Sequence, residues 1–138
     1  MVSAVGPERG HKYWPTKSLL ATGAKVAPGS DWPSAVPDEN PWVGVEALVT
    51  RRDPRGQTPG ALWEAEAITL EDALRIYTRN GARALRLDVH AGSIEVGKLA
   101  DFIVLDRDLF KVPVTDVGDT QVLETWFEGR LVYQRDRK

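Results

Sequence analysis

A chain of 138 residues that is 42% hydrophobic has the length of one ordinary domain and enough apolar side chains for a core, which argues against disorder. Its 18 basic and 20 acidic residues give a formal net charge of -2 and are spread along the sequence, so no basic run is concentrated enough to neutralise a row of phosphates, and nucleic acid is not an expected partner. Cysteine is absent, which removes disulfides, thiolate metal sites and a cysteine nucleophile together and leaves the redox compartment open.

The first stretch, MVSAVGPERGHKYWP, holds no continuous apolar run of signal-peptide length. No later run approaches the roughly 20 apolar residues that cross a bilayer. The expected setting is the cytoplasm, with no membrane partner. Thr16 to Leu20 reads as the end of a helix, stopped at Thr22-Gly23 by the residue type that most easily turns a helix C-terminus. Ala24 to Ala27 follows as a brief extended run ending at Pro28-Gly29. Helix, glycine, short buried strand and polar loop make one step of a parallel α/β fold, in which chemistry sits in the loop leaving the strand's C-terminal end. Asp31 lies in that loop.

Asn40-Pro41 predicts an N-cap followed by proline at the first helical position, and hence a helix over about Trp42 to Thr50. Arg52 to Ala61 is rich in proline and glycine and reads as an exposed loop. Thr69 with Asp72 three residues on resembles a capping box, and Leu70, Ala73, Leu74 and Tyr77 recur at helical spacing. Two helices are expected, about Leu70 to Arg79 and Gly81 to Leu87. After His90 the sequence turns glycine-punctuated and β-rich, with a strand over Phe102 to Asp106 that is apolar on both faces. Val122 to Phe127, a tight turn at Glu128-Gly129 and Arg130 to Gln134 predict a hairpin. The chain thus divides into a helical part, residues 1–87, and a small β part, residues 88–138.

Among candidate chemical groups, the two histidines, His11 and His90, are far apart and lack His-x-His or His-x-x-x-His spacing. A hydrolytic zinc centre takes about three protein ligands plus an open position for water, so the plainer reading of both is surface or helix-flanking residues. Ser30 lacks the Gly-x-Ser-x-Gly elbow and reads as a turn hydrogen-bonder. Gly23, Gly92 and Gly97 read as turns rather than a phosphate cradle. Asp31 is open to two readings. Aspartate after Gly-Ser is common in turns, whereas an acid at the mouth of a short buried strand points into the crevice where α/β enzymes work. Trp14, Trp32 and Trp42 flank the loop and are either the wall of an apolar pocket, with Trp32 the substrate-binding candidate, or plain core.

These residues also form a recognisable set. Glu8 to Pro54, then EAITLEDALRIYTRNGARAL, GSIEVGKLADFIVLDRDLF and the closing ETWFEGRLVY, resemble the C-terminal part of the amidohydrolase superfamily, in its amidohydrolase 3 group. The most specific pieces are Gly29-Ser30-Asp31-Trp32-Pro33 and Gly92 to Asp101, and the likeness runs from about Glu8 to Tyr133. It implies an α/β fold: the last strand and helices of a (β/α)8 barrel over residues 1–87, followed by strands of a small composite β-sandwich over residues 88–138. It further implies hydrolysis of non-peptide C–N bonds in small amide-type or cyclic amide substrates by metal-activated water, with zinc the expected divalent ion. Asp31 is then the catalytic aspartate at the end of the eighth strand, touching the metal and carrying a proton from water to the leaving nitrogen.

A complete barrel takes about 250 residues. The His-x-His pair and the further ligands of the family pattern have no counterpart here. The resemblance therefore implies a chain that is inactive by itself and binds no metal alone, being a fragment or split gene product completed by a complementing barrel fragment. The alternative is a non-catalytic module that self-associates as a homo-oligomer, since open strand edges and uncovered apolar faces seek partners.

Overall fold

The computed structural model describes residues 2–10, 12–37 and 39–136, so His11 lies outside the described residues. The elements run α1 (Val2–Val5), α2 (Pro7–Gly10), α3 (Thr16–Ala21), α4 (Pro41–Thr50), a 3-10 turn (Glu64–Glu66), α5 (Leu70–Arg75), a π turn (Ile76–Asn80) and α6 (Gly81–Ala84). Strand β1 (Phe102–Leu105), a 3-10 helix (Val114–Asp119) and the hairpin β2 (Val122–Phe127) and β3 (Arg130–Gln134) follow. Among the described residues no helix is long and apolar enough to cross a membrane.

Local chemistry explains where the helices begin. The Asn40 side chain accepts the Trp42 N–H at 3.0 Å, and Pro41, which lacks an N–H, sits at the first helical position. Thr69 accepts the Asp72 N–H at 3.1 Å, so the predicted N-cap forms, and its hydroxyl donates to the Asp72 carboxylate at 2.8 Å. Helix α3 stops where Thr22 and Gly23 donate to Leu19 and Leu20, with Gly23 at φ 83. Two expectations need correction. Helix α5 runs on through the π turn into α6 and ends at Ala84, short of Leu87, because Arg86 turns left-handed at φ 59. Ala24 to Ala27 forms no strand. An extended segment becomes a strand only when a neighbour completes its hydrogen-bond ladder, and here the Val26 carbonyl accepts from the Asn80 side chain at 2.9 Å instead.

The hairpin matches its sequence reading. Glu128 and Gly129 both take positive φ, 49 and 75, as a two-residue turn between right-twisted strands requires. The sheet order is β1-β2-β3, antiparallel throughout. Phe102 stands opposite Trp126 and stacks on it, with ring centroids 5.6 Å apart. Every residue of β3 is exposed.

The core joins the helices to the segment between β1 and β2. Trp42 and Val45 of α4 pack with Ile68, Ala73, Ile76, Leu109 and Val117. Burying each of the valine, isoleucine and leucine side chains stabilises the fold by about 1.5–3 kcal/mol. Polar groups reinforce the junction. Asn40 donates its amide to the Gly118 carbonyl at 3.2 Å, and the buried Glu46 accepts the Gly118 N–H at 2.7 Å. Both backbone groups of Gly118 are therefore held by α4 side chains. A Cβ at Gly118 would come within 2.9 Å of the Glu46 carboxylate, so a larger residue here would push that carboxylate out of place.

Burial pushes the Glu46 carboxyl above its ordinary 4.5, against the lowering effect of the Gly118 N–H and with help from the nearby Asp119 and Asp116 charges. An acid that holds its proton more tightly when folded contributes most at low pH, and that contribution falls as pH rises from 4.5 through the folded value. Glu46→Gln keeps an acceptor for Gly118 and removes the charge, so thermal melts at pH 8 are expected to match or exceed wild type. Glu46→Ala orphans the Gly118 N–H and should cost about 1–3 kcal/mol. A glutamine variant clearly less stable than wild type at pH 8 would show that the charge itself stabilises.

Candidate functional site

The Gly29-Ser30-Asp31-Trp32-Pro33 loop is built by its own short side chains. The Ser30 hydroxyl accepts the Trp32 N–H at 3.2 Å, the turn role expected of it. Asp31 adopts φ 55, a left-handed conformation that aspartate tolerates better than most residues, and its carbonyl accepts from Ser34 at 2.7 Å and Ala35 at 2.9 Å. The backbone of Asp31 thus makes the turn while its side chain stays exposed, with no hydrogen bond or ion pair to any described residue. The Trp32-Pro33 peptide is cis.

Beside this loop lies a mainly apolar groove of about 850 Å³, walled by Trp14, Val26, Gly29, Ser30, Leu48 and Tyr77 among others. That is the scale of a small-molecule site. Asp31 and Trp32 do not line it. The three tryptophans taken as neighbours in sequence separate: Trp14 lines the groove, Trp32 is 51% exposed, and Trp42 is buried in the core. Tyr77 was expected from spacing only as a helical apolar position. Its phenol lies so close to Gly44 that a Cβ there would overlap the hydroxyl, and burial raises its pKa above 10.0, so the group stays neutral. Nothing local in the sequence signals that approach, because it depends on α4 crossing the helical run of Tyr77.

Among the described residues no group of three or more His, Cys, Asp or Glu side chains converges, and His90 is an exposed turn residue. A hydrolytic zinc site takes about three protein ligands. The described residues do not make such a site for a divalent ion.

Comparison with known proteins defines the class. The chain matches the Amidohydrolase family over residues 1–133. It is 38% identical over 127 residues to the N-substituted formamide deformylase of Arthrobacter pascens, covering 90% of this chain and 22% of that protein. It is 39% identical over 117 residues to the protein LONG AFTER FAR-RED 3 of Arabidopsis thaliana, covering 85% of this chain and 19% of that one. Among solved structures, an amidohydrolase from Thermotoga maritima MSB8 superposes with a TM-score of 0.63 at 27% identity, over 88% of this chain and 26% of that chain. The chain belongs to the amidohydrolase family. It spans only about a fifth to a quarter of the length of the relatives it matches.

One residue ties the groove's outer wall to the helices. Arg51 caps α4 in a left-handed conformation at φ 56, and is 6% exposed. Its guanidinium donates to the Leu62 carbonyl at 2.9 Å and the Tyr13 carbonyl at 3.4 Å, holding residues 52–62 against the α2–α3 connection. Burial lowers its pKa below the ordinary arginine value, opposed by Glu66, but an arginine stays charged at any working pH. Arg51→Met should lose about 1–3 kcal/mol of stability and speed trypsin cleavage after Arg52 and Arg55. Unchanged cleavage and melting would show that the loop is held by other contacts.

Proposed function

We propose that the chain is the C-terminal portion of a metal-dependent amidohydrolase acting on non-peptide C–N bonds of small amide or cyclic amide substrates. Residues 1–87 belong to the end of its (β/α)8 barrel and residues 88–138 to its small β-sandwich. The observation that carries this reading is the family match over residues 1–133 together with an exposed Asp31 carboxylate that no described side chain occupies. In hydrolysis the water oxygen bonds to the acyl carbon, the C–N bond breaks, and one proton must travel from water to the departing nitrogen. Asp31 is assigned that transfer, taking the proton as base and delivering it as acid. The divalent ion, for which zinc is the expected identity, depends on ligands beyond those described, with Asp31 the one donor assigned here. Trp32 is assigned a substrate contact on the same loop. The chain by itself is inactive on this reading, and a complementing part of the barrel completes it in the cytoplasm.

The test uses an enzyme in which the remaining barrel is present, as one longer chain or by co-expression. Asp31→Asn should lower kcat by about 100-fold or more with the fold kept. Trp32→Ala should raise KM more than it lowers kcat. Full turnover by Asp31→Asn would remove Asp31 from the mechanism.

A second reading, a self-associating non-catalytic module, is favoured by the uncovered sheet. Ile103, Phe127, Leu131 and Val132 are 44%, 49%, 43% and 57% exposed, apolar side chains left uncovered on the sheet that call for a partner. Light scattering on the purified chain separates the two. A concentration-independent homo-oligomer that fails to combine with a complementing barrel supports the module, and a monomer that does combine supports the enzyme.

A further inference from the structure

Away from the Asp31 loop, a polar crevice of about 320 Å³ is lined by Lys25, Arg75, Arg79, Arg83 and Lys98, with Asp88 the one carboxylate on its wall. Three separate segments bring these cations together. Arg75, Arg79 and Arg83 recur four residues apart along the helical run from α5 to α6. Lys25 is drawn to that run by the hydrogen bond from the Asn80 amide to the Val26 carbonyl. Lys98 arrives on the loop after α6, which touches the helices at Gly92. A Cβ there would stand 2.6 Å from the Ala82 Cβ and 3.2 Å from the Arg79 Cα, and Gly92 takes φ 88. The Leu99 N–H closes the loop on the His90 carbonyl at 2.9 Å.

The protein satisfies only part of this charge. Arg75 pairs with Glu71 at 2.5 Å and Asp72 at 3.7 Å, and Lys98 donates to Ser93 at 2.7 Å and lies 3.8 Å from Glu95. Lys25, Arg79 and Arg83 form no salt bridge among the described residues, although Arg79 is near enough to help lower the Glu95 pKa. Cations gathered within a Debye length repel one another, and a guanidinium fork is relieved best by a planar or tetrahedral oxyanion that accepts two of its N–H groups. The volume suits one small ligand, at the lower end of small-molecule sites, and is far too small for a nucleic-acid strand.

We propose that this crevice binds a compact oxyanion of the phosphate type, either the free ion or the phosphoryl group of a small molecule. The site is independent of the hydrolytic reading, because none of its residues belongs to the Asp31 loop or lines the apolar groove beside it. Titration of the purified 138-residue chain with inorganic phosphate, and separately with glycerol 3-phosphate, at fixed ionic strength tests it by amide 1H–15N shifts. Saturable shifts clustered at Arg79, Arg83, Ala91 and Lys98 are expected, with Kd at or below about 1 mM. Arg79→Glu combined with Arg83→Glu, both exposed positions, should weaken binding about tenfold or more. The milder Arg79→Gln with Arg83→Gln serves if charge reversal disturbs the fold, and Arg130→Glu on the hairpin should leave binding unchanged. Equal affinity for the two probes assigns the site to the free ion, and tighter binding of glycerol 3-phosphate assigns it to a phosphorylated molecule. Absence of saturable shifts, or shifts that neither arginine pair alters, overturns the proposal.

Discussion

The capture of Gly118 by α4 is the constraint on which the rest of the structure depends. One helix supplies a donor from Asn40 and an acceptor from Glu46, and between them they satisfy both backbone groups of a residue more than seventy positions away in sequence. Truncating either side chain to alanine leaves a buried polar group unpaired, which costs more than the bond is worth when made. The grip fixes Val117 against Val45 and Ile76, and so sets the plane on which α5 lies against α4. Together with the buried Leu109 and Val117, this glycine ties the segment after β1 to the helices.

From that plane the fold extends outward through single long-range clips rather than continuous layers. Asn80 holds Val26, Glu66 accepts both the backbone N–H at 2.9 Å and the hydroxyl at 2.5 Å of Ser18, and Arg51 reaches Leu62 and Tyr13. Those Ser18 bonds hold the Glu66 carboxyl below its ordinary range. The clips position the 24–30 segment without giving it strand neighbours, and the loop that follows carries Asp31 outward on a backbone turn. A carboxylate presented this way is available to a substrate or to ligands supplied from elsewhere. The same sparse construction leaves the groove open on the side where Trp14 and Tyr77 face it.

What was legible in the sequence was whatever local chemistry decides. The Asn40-Pro41 start, the Thr69 cap, the Gly23 stop and the Glu128-Gly129 turn each need only their own neighbours, and each stands where expected. Features that depend on distant segments were not legible. Gly118 sits in an unremarkable run, Val-Thr-Asp-Val-Gly-Asp, and its role appears only when Glu46 is folded against it. The Ala24 to Ala27 run has strand composition, yet no ladder partner among the described residues makes it one. Basic residues that look dispersed along the chain converge on one crevice because Gly92 and Asn80 draw three segments together. Ser30 makes the turn hydrogen bond expected of it, while the grouping of the three tryptophans near it does not survive folding, since α4 takes Trp42 into the core.

The chain spans a fifth to a quarter of its relatives and carries an outward-facing carboxylate, and the proposed function divides the chemistry between its own residues and others. Metal binding by the 138-residue chain tests that division most directly. Purified chain equilibrated with excess zinc and then dialysed should retain well below one equivalent of metal and hydrolyse no amide. One tightly held ion per chain, accompanied by unaided amide hydrolysis, would contradict the assignment of Asp31 as a carboxylate whose partners lie outside the described residues.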